Sequence, residues 1–171
     1  MTENDRKRTN RGKVAISSAV LLKYITVLAI VIYIVLLMLY ASGSTKPFAQ
    51  VVELVEPEIK TENLVKQDSR AFKRYYGLNS ADYKGVLFYS SEFNISAEEV
   101  LLIEVKSEKQ VQEVRDAINE RLESRKDAFE EYDSEQVKLL EDAQLLVRGK
   151  YIFMAVSPDA EVYATIFTKS L

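Results

Sequence analysis

Tyr24 to Ala41, YITVLAIVIYIVLLMLYA, is eighteen residues without a charge. As a helix at ~1.5 Å per residue it is about 27 Å long, close to the ~30 Å hydrocarbon core of a bilayer. It is apolar on every side apart from Thr26 and Tyr33, whereas a helix on a soluble core keeps a polar stripe. The reading is a membrane span at 24–41, with Tyr24 and Tyr40 at the two interfaces and Lys23 at the edge, where its amine can reach water. Ala41-Ser42-Gly43 also suits a signal-peptidase site, but the apolar run exceeds the ~7–15 residues of a usual signal core, which favours a retained anchor. Tyr33 lies mid-span and is a candidate contact for a partner helix.

Charge divides at this stretch. Residues 1–23 carry six Lys/Arg against Glu3 and Asp5, a balance of +4, and the remainder carries 17 Lys/Arg against 24 Asp/Glu, a balance of −7. By the positive-inside rule the basic tail 1–23 is cytoplasmic and the chain beyond the span lies outside: a single-pass, type II plasma-membrane protein in contact with the lipid bilayer. After a linker at 42–46, residues 47–171 are long enough for one domain with its own core.

Composition removes much chemistry. The chain has no cysteine and no histidine, so disulfides, thiolate catalysis and the usual zinc, copper, haem and iron–sulfur ligand sets are excluded. No cofactor or metal is expected. The acidic C-terminal part argues against nucleic acid, which needs a basic face. No Ser-x-x-Lys occurs and the five glycines never fall closer than eight residues apart, so neither a serine–lysine pair nor a phosphate-cradling loop is present.

Local signals lay out an α+β domain. Pro47 opens a helix carrying Phe48, Val51, Val52 and Val55, which Pro57 ends; Glu58 to Lys66 reads as irregular. Ser69 to Tyr76 is a short helix stopped by Gly77. Val86–Ser90 and Val100–Lys106 are strands expected to pair antiparallel, with a capped turn at Ser96-x-x-Glu99 between them. Ser107 and Gln110 form a capping box for the longest helix, with Val111, Val114, Ile118, Leu122 and Phe129 on one face. Its other face, with Arg115, Arg121 and Arg125 among glutamates, reads as solvated. Asp133 and Gln136 open a further helix bearing Val137, Leu140 and Ala143. Gln144–Val147 and Tyr151–Val156 are strands about the turn at Gly149. Ser157-Pro158 then opens a last helix over 159–169, although its Val, Tyr, Thr and Ile content also suits a strand. The expected fold is a single N-terminal transmembrane helix followed by a four-stranded, mainly antiparallel sheet with covering helices.

The runs GVLFYSSEFNISAEEVLLIEVK, YDSEQVKLL and LLVRGKYIFMAVSPDAE, with FKRYYGLN upstream, resemble a family of bacterial extracytoplasmic domains known only as a domain of unknown function. The resemblance covers roughly Ala71 to Phe167. It implies attachment to the outer face of the membrane in Gram-positive bacteria, by an N-terminal helix or a lipoprotein signal. This chain lacks the lipoprotein cysteine, and the resemblance supplies no catalytic residues.

Carboxylates are the one catalytic chemistry left open. Glu98-Glu99, and Glu130-Glu131 with Asp133, are candidate pairs for acid-catalysed hydrolysis, and Glu130 to Glu135 could hold calcium weakly, without the spacing of an EF-hand loop. In a chain with 26 acidic residues such pairs arise by chance, and capping and solvation account for their placement. Asn94-Ile95-Ser96 fits a glycosylation acceptor, which has no meaning in a bacterial chain. Tyr75-Tyr76 could stack on a ligand but suits a core. The sequence therefore favours a non-enzymatic binding or envelope-assembly domain acting on another envelope protein or a cell-wall component, with no catalytic, cofactor or metal residues assigned. The alternative is a membrane-tethered hydrolase using paired carboxylates.

Overall fold

The computed structural model describes residues 18–41 and 46–171, with side chains described for 22–36 and 46–171. It divides into two compact units, Met1–Tyr40 and Ala41–Leu171. The first holds one helix, α1 (Ser18–Ala41), whose described side chains are all exposed. Thr26 satisfies its hydroxyl within the helix by donating to the Leu22 carbonyl at 3.0 Å.

The structure does not sustain the expected span at 24–41. Among the described residues, no helix is long and apolar enough to cross a membrane. The helix also begins before Lys23 and takes that charge into its body. The single-pass location, with a cytoplasmic N-terminus and an outer C-terminal domain, falls with the span. Of the basic tail expected at 1–23 and the linker expected at 42–46, residues 1–17 and 42–45 lie outside the described residues.

The second unit is a three-layer α/β/α arrangement. Its elements are α2 (Phe48–Val55), β1 (Leu64–Lys66), α3 (Ser69–Tyr76), β2 (Gly85–Ser91), β3 (Glu99–Glu104), α4 (Gln110–Phe129), α5 (Ser134–Glu141), β4 (Gln144–Arg148), β5 (Tyr151–Val156) and α6 (Ala160–Ser170). Short 3₁₀ turns lie at Glu56–Glu58 and Ser80–Asp82. The strands form one antiparallel sheet in the order β1-β2-β3-β5-β4.

The sheet thus has five strands where four were expected. The addition, β1, lies in the segment read as irregular, pairing Leu64 with Ser91, Val65 with Ser90 and Lys66 with Tyr89. Three residues of which only the first is buried are too short to show a period of two. What makes them a strand is the free edge of β2, which no local pattern announces.

Both sheet faces are covered, and side chains alternate between them. Leu101 and Ile103 with Phe88, Ile152, Met154 and Val156 pack under α3, α4 and α5, joined by Phe72, Val114, Ile118, Phe129 and Leu140. Leu87, Tyr89, Val100, Leu102, Phe153 and Ala155 pack under α2 and α6, joined by Val51, Val55, Tyr163, Ala164 and Phe167. Central β3 is buried along its whole length, which is why it reads as a continuous apolar run. Gly85 is required where α2 meets the sheet, since a Cβ there would stand 2.2 Å from the Phe48 ring.

Termini follow their caps. Asp68 accepts the Arg70 and Ala71 amides at 3.0 and 2.9 Å, and Gly77 ends α3 at φ 70°, a left-handed cap that costs glycine nothing. Gln110 reaches back to the Ser107 amide at 3.2 Å, but α4 starts at Gln110, later than the capping box suggests. The last segment is a helix, and Ser157 accepts the Asp159 amide at 3.2 Å ahead of it.

Candidate functional site

On β3 the alternation turns Glu99 toward α3 and α4, with Ser90 of β2 and Val156 of β5 as its cross-strand neighbours. From α3, the face that buries Phe72 also brings in Tyr76. From α4, Arg121 stands one turn beyond buried Ile118, and Arg125 one turn further on. The three elements converge on one carboxylate. Tyr76 donates its hydroxyl to Glu99 Oε1, and Arg121 Nη2 donates to Oε2 at 2.9 Å. The Glu99 and Arg121 side chains are only 5% and 17% exposed.

Aromatic rings frame the cations. The Arg121 guanidinium lies 4.4 Å from the centroid of the half-buried Tyr75 ring, and that of Arg74 lies 4.8 Å from the same ring. Arg125 stacks on Phe129 at 4.5 Å and donates to the Ser96 carbonyl at 2.8 Å. Burial, then the charge of Glu99, drives the Tyr76 phenol well above its ordinary value. Burial alone would lower the Arg121 pKa, but the Glu99 carboxylate outweighs it and the net shift is upward. Arg125 is lowered by burial and next by the charge of Arg121.

Two spaces open on this cluster. A cleft of about 330 Å³ between α3 and α4 is lined by Arg74, Tyr75, Gly77, Glu120, Arg121 and Ser124, with Tyr76 and Ala117. A smaller cavity of about 70 Å³ lies under the β2–β3 loop, with Ser90, Glu98, Glu99, Arg121 and Arg125 in its wall. Among the described residues, Ser90 Oγ and Arg121 Nε are buried without a hydrogen-bond partner. Chemically the cluster fixes charge in place: both Glu99 oxygens are engaged and the phenol is held protonated.

The candidate carboxylates disperse. Glu99 is turned inward, and Glu98 is half-buried at the small cavity. The capped turn at Ser96-x-x-Glu99 does not form, because Ser96 Oγ accepts the Glu98 amide at 3.2 Å while Glu99 belongs to β3 and spends its carboxylate on Tyr76 and Arg121. Glu130 and Glu131 are exposed. Asp133 caps α5, accepting the Glu135 and Gln136 amides at 3.1 and 3.2 Å. Among the described residues no group of three or more His, Cys, Asp or Glu is placed to hold a metal ion, and the Glu130 to Glu135 cluster is part of that result. Tyr75-Tyr76 divides its roles, Tyr76 in the core and Tyr75 on the cleft wall.

Sequence reasoning passed over Arg121 and Arg125 by placing them on a solvated face. A signal was there: Arg125 lies seven residues after Ile118 and four before Phe129, a position within the apolar stripe of α4.

Beside this cluster the surface turns apolar. Phe93 and Ile95 on the β2–β3 loop and Tyr132 after α4 are 60%, 72% and 65% exposed. The loop is tied down on both flanks: the Ala97 amide donates to Gln136 Oε1 at 2.7 Å, the Ser96 carbonyl accepts from Arg125, and the Ser91 amide donates to the Glu98 carbonyl at 3.0 Å. Tyr132 in turn packs on Phe129, ring centroids 5.5 Å apart.

Residues 58–157 match the family model described as Domain of unknown function (DUF4358), more than half of the chain. The chain belongs to the DUF4358 family. The DUF4358 match runs from the end of the first 3₁₀ turn through β5, so it contains the whole sheet, the Glu99–Arg121 cluster and the apolar corner, while α2 and α6 fall outside it. It establishes the domain family and carries no statement of membrane attachment, lipoprotein character or source. No curated protein and no solved structure matches the chain.

Proposed function

We propose that this DUF4358 domain is a non-enzymatic binding module for another protein, engaged at the corner where the β2–β3 loop meets the end of α4. The carrying observation is that three large exposed side chains, Phe93, Ile95 and Tyr132, lie on two segments joined through half-buried Arg125: Phe93 shares a cavity wall with it, the Ser96 carbonyl next to Ile95 accepts from it, and Tyr132 packs on the Phe129 ring that it covers. Single exposed apolar residues are ordinary; three large ones near an arginine have the composition of an interface centre. The three hydrogen bonds that hold the loop lower the ordering cost of association, since its side chains are presented before a partner arrives. The engagement of Glu99 and the capping role of Asp133 support binding over hydrolysis.

The test is a photoreactive side chain at position 95 or 132 of the full chain, expressed in its native cells, with position 53 on the exposed side of α2 as control. A discrete protein adduct is expected from 95 and 132 and not from 53, and Phe93→Ser should reduce it by about tenfold or more, the scale of one central interface residue. Adducts of equal yield at all three positions, or none at 95 and 132, overturn the proposal.

A further inference from the structure

The sheet has two edges, and they are finished differently. Strand β1 is three residues long, with Lys66 at its end pairing to Glu56 at 2.6 Å. Strand β4 is five residues, and its centre, Leu145-Leu146-Val147, holds no charge and no proline. Natural edges are guarded by brevity, lysine, proline or a covering element. The first two residues of this centre, Leu145 and Leu146, pair with Met154 and Phe153 of β5, and Val147 pairs with Ile152. Those β5 residues are fully buried, whereas the β4 residues are only partly so.

The groove beside this edge carries a charge pattern. About 460 Å³ in volume, it is walled on β4 by Gln144, Leu146 and Arg148 and on α6 by Glu161, Thr165 and Lys169, with Ala164 and Thr168. Gln144 and Glu161 also share the neighbouring space with Ser157, Pro158 and Ala160, where α6 begins. The acidic end therefore lies at the start of β4 and of α6, and Arg148 and Lys169 form a basic end where both elements finish. An antiparallel partner strand centred on Leu146 would meet Gln144 with its fifth residue and Arg148 with its first.

We infer that β4 pairs with β4 of a second copy of this chain about a two-fold axis at Leu146, giving a continuous antiparallel sheet across two molecules. The occupant is a second copy because the pattern is self-complementary: the rotation that sets β4 antiparallel to itself lays the Glu161 end of one groove on the Arg148–Lys169 end of the other. Leu146 then faces Leu146, and Thr165 faces Thr165 across the junction. The inference is independent of the apolar corner, which lies on the other side of the sheet from α6.

The chain has no cysteine, so introduced thiols report cleanly. In the full-length protein with added oxidant, Leu146→Cys should crosslink as a homodimer. Gln144→Cys mixed with Arg148→Cys should crosslink across the mixture far faster than either does alone, because opposed Cβ atoms in an antiparallel pair lie within disulfide reach. Glu53→Cys on α2 should show background only. Glu161→Lys, added to each thiol variant, should slow crosslinking about tenfold or more by setting lysine against lysine and arginine, and Glu161→Lys with Lys169→Glu should recover much of it. Should Leu146→Cys not fold, the Gln144 and Arg148 variants give the same reading, since both side chains lie at the ends of the strand. Crosslinking at 146 or across the 144/148 mixture no faster than at 53, or unaltered by Glu161→Lys, overturns the inference. So does finding the β4 edge occupied by a strand of a different protein.

Discussion

Replacing Arg121 with methionine removes a cation from a carboxylate that is almost fully buried. Breaking a buried ion pair from one side costs about 3–5 kcal/mol, most of it the penalty of leaving the other charge without a partner. The residual exposure of Arg121, 17%, places the expectation at the lower end, and loss of the contact with the Tyr75 ring adds about 0.5–1 kcal/mol. The total of about 3–4 kcal/mol is a large part of the ~5–15 kcal/mol that holds a typical domain together. Urea denaturation followed by circular dichroism should show a lower midpoint with an unchanged slope. Adding Glu99→Leu removes the stranded charge and should recover much of the loss, leaving about 1–3 kcal/mol for the Tyr76 hydroxyl, now buried without an acceptor; Tyr76→Phe should then recover most of that. A loss below about 1 kcal/mol for Arg121→Met alone, or a double variant no more stable than the single, would refute the view that these three side chains act as one unit.

Ile118→Asp puts a charge among fully buried side chains at the centre of α4 and should unfold the domain, read as loss of the cooperative transition. Stability should fall at high pH: Tyr83 and Tyr89 are pushed up to about 12, both chiefly by burial and Tyr89 also by its hydrogen bond to Glu56. Unfolded phenols ionise near 10, so this contribution is complete below about pH 10 and lost as pH rises toward 12, and a denaturation midpoint equal at pH 9 and pH 11.5 would contradict it. Glu98→Gln, Glu131→Gln and Asp133→Asn, made singly, should leave the cellular role intact with stability changes of about 1 kcal/mol or less; loss of function in a folded variant would revive a carboxylate hydrolase.

Elements with local causes were legible. Asp133 capping α5, Gly77 ending α3 and the short branched and aromatic runs of β2 and β5 each act within a few residues of where they are written, and the structure has them close to the expected places. Elements made by distant partners were not. Strand β1 exists because β2 offers an edge, and nothing in Leu64-Val65-Lys66 differs from a loop. Glu99 reads in the sequence as a cap or as half of an acid pair, whereas its role depends on an arginine 22 residues away in sequence and a tyrosine on another helix. Arg121 and Arg125 looked solvated because charge is usually a sign of water; here each has a specific acceptor and an aromatic face. The run at 24–41 was judged by its own composition, and no helix among the described residues meets the length and apolarity of a span.

The strand order also has a kinetic consequence. The β2–β3 and β4–β5 pairings each close over a short connection, residues 92–98 in one case and Gly149-Lys150 in the other. Hairpins of this kind form in roughly 1–10 μs. Between β3 and β5, by contrast, residues 105–150 intervene, so that seam must bear the largest closure entropy of any ladder in the sheet. We expect the hairpins to be assembled before the seam, with α4 and α5 shortening the effective distance as they fold. A substitution at the seam outside the β4–β5 ladder, such as Val156→Ala, whose residue pairs with Glu99 of β3 and has no partner on β4, should then mainly accelerate unfolding and leave the refolding rate nearly unchanged. A refolding rate that falls in step with stability for such variants would place the seam in the nucleus and reverse this order.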